Sequence, residues 1–317
     1  MGMAIIWVAL YHLPSHIGIP VLGYLQDVGF GGVDIFFFLS GMGVASSLSK
    51  NSDATDFFIR RMKRLLPSYI PFICLWIIFR KITYQIFLTE IAGNITMSGW
   101  WNEDANQFNW YVDAIVIFYI LSPFIYGLLS RAKNKLIASG LMLLLALTVS
   151  VGFWHGILLM AVSRLPVFVL GICMFVLKEH SIFKGKGSVV IWNIIMAAGF
   201  GLSYYLLRVQ GISDGMEFID RWHYGLFWYP FLLIAPGLSM DLGYLGNILG
   251  KIKLIDYFGM ASFEIFLWHI FIFETAQSRN VKGTLTWTLL FVAAFAIGYG
   301  YYRLVELIKK KISIQRP

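Results

Sequence analysis

The chain has 317 residues, 58% of them hydrophobic and 13% charged, with a net charge of +8 and a mean hydropathy of +0.72. A soluble domain carries about 25% charged residues, so this composition excludes an ordinary water-soluble fold and points to a polytopic membrane protein. The two cysteines, Cys74 and Cys173, both fall in apolar segments, which argues against a disulfide framework or a metal site.

Apolar runs of spanning length recur along the whole chain, with no internal repeat, low-complexity stretch or soluble domain between them. The expected fold is an all-α integral membrane bundle of about ten transmembrane helices, a single membrane-embedded domain over 1–317. The spans are expected near 1–14, 30–49, 66–80, 109–130, 135–153, 156–178, 188–207, 224–247, 255–276 and 285–307. The first is short. Met1 to Leu13 make about 20 Å of helix against about 30 Å of hydrocarbon. It lacks the basic start and small-residue cleavage site of a signal peptide. We therefore expect that the natural chain starts further upstream, or that this helix is only part of a span.

With the N-terminus placed inside, 17 Lys and Arg fall in inner loops and 6 in outer loops, while Arg164 and Arg303 lie within spans. This is the positive-inside pattern of ten helices with both termini cytoplasmic. The basic excess is then a topology signal and not a nucleic-acid footprint.

Polar residues inside spans carry the candidate chemistry, because burying them in hydrocarbon is expensive. His12 closes the first span; imidazole can take a proton from a hydroxyl and return it to a leaving group. Its plainer role is an interfacial hydrogen bond at a helix end. His16, past Pro14, reads as an outer-loop residue. Asp34 opens the second span and either orients a histidine or caps the helix start. Ser40 and Gly41, with the small residues that follow, suit close helix packing. Arg60, Arg61, Lys63 and Arg64 precede the third span. Such a cluster meets lipid headgroups or binds a phosphate-rich cytosolic ligand.

Arg164 lies eight residues into span six and requires a carboxylate, a carbonyl or an anion as partner. Glu264 and His269 share span nine. Under this topology His12, Asp34, Arg164 and His269 lie at similar depth and are expected to meet in the outer half of the bundle. FWHG at 153–156 resembles a motif of another membrane acyltransferase superfamily but falls in a tight outer loop. Trp100, Trp101, Phe108, Trp110 and Tyr111 suit an interfacial aromatic belt or a sugar-stacking platform.

These motifs, taken in order, resemble acyltransferase family 3 of bacterial integral membrane proteins. The matching stretches are VALYH ending at His12, GVDIFFFLSG at 32–41, FFIRRMKRLLP at 57–67, WY at 110–111 with FYILSP at 118–123, RLPVFVLG at 164–171 and SFEIFLWH at 262–269. Glu306, in YYRLVE, fits the family's C-terminal end less tightly. The resemblance implies a ten-helix protein of the bacterial plasma membrane. It would move an acyl group, usually acetyl, from cytosolic acyl-coenzyme A to a hydroxyl of a cell-surface carbohydrate or lipid-linked glycan.

No tightly bound cofactor is implied; acyl-coenzyme A is a substrate. His12 becomes the catalytic base, with Asp34, Arg164, Glu264 and His269 as further catalytic candidates. Arg60, Arg61 and Arg64 become candidates for the coenzyme phosphates. One position departs: the family places an arginine eleven residues before the histidine, where this chain has Met1. The runner-up is a transporter or flippase for a glycan or lipid-linked intermediate, which polar groups within spans serve equally well.

Overall fold

The computed structural model describes residues 1–14, 18–83, 86–102, 110–152, 158–180, 186–211, 228–249 and 253–314, and no strand occurs among them. The α-helices are α1 (Gly2–Tyr11), α2 (Pro20–Asp27), α3 (Gly31–Lys50), α4 (Ala54–Thr83), α5 (Leu88–Thr96), α6 (Trp110–Arg131) and α7 (Lys135–Gly152). They continue with α8 (Leu158–Val162), α9 (Leu165–Leu177), α10 (Lys186–Tyr204), α11 (Phe231–Leu249), α12 (Lys253–Met260), α13 (Ser262–Ser278) and α14 (Thr284–Ile314). The expectation of an all-helical chain holds. FWHG at 153–156, His16 and Phe108 lie outside the described residues.

Among the described residues, seven helical stretches are long and apolar enough to cross a membrane, and an eighth is added if α12 and α13, bent by 79°, are one broken span. The apolar helices Gly2–Tyr11 and Phe231–Gly246 are shorter. They coincide with the expected first and eighth spans. Large apolar side chains lie exposed on several of these helices, among them Leu141, Leu144 and Leu145 on α7, Ile194 on α10 and Leu289 on α14. Hydrocarbon is their natural solvent.

Three expected spans differ in shape, each for a local reason. Span three begins earlier, at Ala54. The Asp53 carboxylate accepts from the Asp56 amide at 2.6 Å and so caps α4. The basic run RRMKR is therefore helical, not a loop before a helix. Span six is interrupted at Ser163 and Arg164, because Pro166 has no N–H and cannot continue α8. Span nine is two helices. Where it bends, a Cβ on Gly259 would sit 3.2 Å from the Gly2 amide nitrogen, and a Cβ on Gly2 would strike the Ile255 carbonyl. Paired glycines thus let α1 start against the backbone of α12.

The chain divides into two compact units. The first comprises Met1–Val33, Lys63–Phe79 and Leu242–Pro317. Its core includes Phe273, Ala276, Trp287 and Ala294, with Leu13 and Ile272 packed against them. The second comprises Asp34–Met62 and Arg80–Asp241. There Phe118 packs 5.3 Å from Phe37 and 5.2 Å from Phe168 between ring centroids. Helices α3 and α9 cross reciprocally: a Cβ on Gly41 would strike the Phe168 carbonyl, and one on Gly171 would strike the Phe38 carbonyl. This is the small-residue contact expected for Gly41, since dispersion packing holds helices together where water cannot.

Candidate active site

In the first unit, α1 ends at His12, whose Nδ1 lies 2.9 Å from the Val8 carbonyl one turn back. On α13, Nδ1 of the buried His269 lies 3.0 Å from the Ile265 carbonyl. A carbonyl oxygen only accepts, so in each neutral ring the proton sits on Nδ1 and Nε2 carries the lone pair. His269 Nε2 then faces His12 Nδ1 at 3.4 Å, and it can accept a share of that proton. Ring centroids are 5.2 Å apart. The network leaves His12 Nε2 as the acceptor that no part of the pair consumes.

The end of α1 is held on several sides. Gln26, buried on α2, donates to the Leu10 carbonyl at 3.2 Å, and the Trp7 indole donates to the Leu25 carbonyl at 2.6 Å. The Leu10 carbonyl also accepts from the Leu13 amide at 3.2 Å, so the last turn of α1 is satisfied from within the chain and from α2. His12 meets the Tyr11 ring edge-on, and His269 is ringed by Phe266 and Phe273. Gln26 is a supporting residue that the sequence did not single out; a lone amide in an apolar stretch was its only signal.

Glu264 shares α13 with His269 but has other company. The Ser68 hydroxyl donates to its carboxylate at 2.5 Å, and the Tyr301 hydroxyl donates to the Ser68 carbonyl at 2.7 Å. Ser68 sits in α4 near Pro67 and Pro71, which free backbone carbonyls in mid-helix. The trio ties α4, α13 and α14 together.

The second unit holds the other pair. Arg164 stands at the break between α8 and α9, with 1% of its side chain exposed. Its Nη1 donates to the Met160 carbonyl at 3.0 Å and to the Ser163 hydroxyl at 2.9 Å. Its Nε lies 3.7 Å from Asp34 Oδ1, and Asp34 is likewise 1% exposed. At that distance the contact is an ion pair and not a hydrogen bond. The guanidinium carbon also lies 3.5 Å from the Trp228 ring centroid and 5.3 Å from that of Trp110.

Aromatic faces stabilise a desolvated cation by about 2 kcal/mol, which helps explain how a guanidinium survives there. Of the partners considered from sequence, both a carboxylate and a carbonyl are present. Asp34 Oδ2 has no hydrogen-bond partner among the described residues. The four residues expected to meet thus form two pairs, His12 with His269 and Asp34 with Arg164. The tryptophans around Arg164 were not foreseen as its partners.

The basic run on α4 separates by helix geometry. Arg60 and Arg64 are exposed and four residues apart, hence on one face. Arg61, a 100° step away, donates to the Gly43 carbonyl at 2.8 Å and packs over the Phe57 and Tyr119 rings. At the start of α6, Trp100 donates its amide to the buried Asp113 at 2.9 Å and the Trp101 indole donates to the Asp113 carbonyl at 3.1 Å. These two tryptophans are thereby fixed to the start of α6.

The family model described as an acyltransferase domain, that of acyltransferase family 3, matches residues 2–303. This chain belongs to that family. It is 26% identical over 328 residues to the O-acetyltransferase OatA of Staphylococcus aureus strains NCTC 8325, COL and MRSA252, in each case across 90% of this chain and 51% of the relative. The chain therefore spans about half the length of the curated relatives it matches. No solved structure matches it significantly. Family and apolar helices together make this acyltransferase-family chain a multi-pass membrane protein.

Proposed function

We propose that the chain transfers an acyl group, acetyl foremost, from cytosolic acyl-coenzyme A to a hydroxyl of a cell-envelope carbohydrate or lipid-linked glycan. The single observation behind this is the His12–His269 pair, two neutral rings whose tautomers are set by the Val8 and Ile265 carbonyls, in a chain of an acyltransferase family. In this reading His12 Nε2 takes the proton of the acceptor hydroxyl as its oxygen attacks the thioester carbonyl. The tetrahedral adduct collapses, the C–S bond breaks, and the departing thiolate receives that proton from the imidazolium.

His269 Nε2 accepts from His12 Nδ1–H throughout and steadies the ring as charge develops. Asp34 and Arg164 are positioning residues in this scheme, fixing the start of α9, and Glu264 anchors α13. The exposed Arg60 and Arg64 face the coenzyme phosphates from the cytosolic side. The family match does not favour the transporter alternative. Supporting the topology, ten apolar segments with both termini in the cytoplasm of a bacterial plasma membrane account for the 17-to-6 distribution of basic residues. Labelling of cysteines introduced at 51–58 from the outside would overturn it.

The test of the activity is thioester consumption by the purified protein in proteoliposomes. It should require both acetyl-coenzyme A and a hydroxylated acceptor, and His12→Ala should slow it by about 100-fold, the scale of losing a general base. His12→Asn should not rescue, since an amide does not cycle a proton near neutrality. A well-inserted His12→Ala protein working at the parental rate would sink the assignment.

A further inference from the structure

Between the C-terminal turns of α3 and the first turns of α4 lies an open cavity of about 310 Å³, lined by Gly43, Ser46, Ser47, Lys50, Asn51 and Arg60. Every lining side chain except the glycine is polar, and two are cationic. That is unusual for a protein in which apolar residues make up 58% of the sequence. Its volume lies at the small end of ligand sites, which run from about 300 to 1,000 Å³. It suits a phosphate with part of its carrier and is small for a whole nucleotide thioester.

The charges around it are unequally committed. Arg61 is held by the Gly43 carbonyl and two aromatic rings and does not line the cavity. Arg60 touches Asp56 at 3.5 Å, with both side chains well exposed, and such solvated pairs exchange partners easily. Asp56 is already engaged by the Asn51 amide at 3.0 Å, and Asp53 by the α4 cap. Lys50 is exposed and forms no ion pair among the described residues. One free ammonium, one loosely held guanidinium and two serine hydroxyls are the complement of a doubly charged oxyanion. Gly43 completes the design. Nothing lies within 4 Å of the point where its Cβ would be, so the helix surface opens there instead of being filled.

We propose that this cavity receives the ribose phosphomonoester of the acyl-coenzyme A donor, gripped by Lys50 and Arg60 with Ser46 and Ser47 as hydroxyl donors. The proposal rests on the donor reading given above and adds to Arg60 the α3 side chains of Ser46, Ser47 and Lys50. It also divides the arginine run: Arg60 binds, whereas Arg61 braces α4 against α3 and α6.

Binding of acetyl-coenzyme A and of dephospho-coenzyme A, which lacks the ribose phosphate, by the full chain in nanodiscs tests it. The parental protein should prefer acetyl-coenzyme A. Lys50→Gln should weaken that ligand by about tenfold, the scale of one charge-assisted hydrogen bond, and leave dephospho-coenzyme A where it was. Gly43→Leu, which fills the cavity without touching the carbonyl that Arg61 uses, should abolish the preference in the same way. A parental protein that binds both coenzymes equally removes this subsite and leaves the donor reading standing. One that binds neither removes both. If Lys50→Gln lowers retention of phosphatidylglycerol and leaves acetyl-coenzyme A binding at the parental value, the cavity holds a lipid headgroup and the proposal falls.

Discussion

In the first unit, the rings of His12 and His269 are each held by a carbonyl one turn back in their own helix. In the second unit, Arg164 is held by side chains from elsewhere, those of Asp34, Trp110 and Trp228, besides its local Ser163 and Met160 partners. The contrast follows from charge. A neutral imidazole needs one acceptor for its one proton, and any helix supplies that. A guanidinium removed from water needs compensation from several directions, which a single helix does not contain. The first arrangement leaves a lone pair available for proton transfer. The second offers a guanidinium that has no lone pair to accept a proton and whose charge is met by Asp34 and two aromatic faces, which is why we place the base in the first and a scaffold role in the second.

The larger expected effect lies in the charged pair. Arg164→Met keeps the volume but leaves Asp34 buried without its cation, and removing one member of a buried pair costs about 3–5 kcal/mol. Thermal unfolding in detergent should show a large fall in midpoint. Adding Asp34→Leu should recover most of the loss, because no charge is then stranded. A double variant as unstable as the single would mean that the pair is not what stabilises α9, and the contrast would fail there.

The smaller effect tests the neutral pair. His269→Ala should lower kcat by about tenfold, the value of one neutral hydrogen bond at the upper end of its range, with KM unchanged. His269→Gln should retain most of the rate, since an amide oxygen accepts from His12 Nδ1–H as the ring nitrogen does. Equal losses in Ala and Gln would show that His269 acts through something other than acceptance. In that case the assignment of Nε2 as the free base on His12 would need revision.

Much of this was readable from the chain. His12 was singled out because a histidine ends an apolar run, and it does end α1. Gly41 was assigned to helix packing, and it meets Phe168. Arg164 was expected to need a carboxylate or a carbonyl, and it has both. The bend between α12 and α13 was not readable, because no proline marks it within 255–276 and its position depends on where α1 arrives. Arg61 could not be told from Arg60 either. Adjacent arginines differ only in which helical face they occupy, and the occupants of that face come from distant sequence.

Membrane class, helical content and the ordered motifs of an acyltransferase family were thus determined by the sequence itself, because hydrocarbon forces backbone groups to pair within each segment. Each helix is nearly complete before it meets another. Pairing of the buried polar side chains was decided only in three dimensions. A desolvated charge or hydroxyl must find its partner wherever the packed helices bring one, and Ser68 finding Glu264 across 196 positions of chain is a choice that no local pattern encodes.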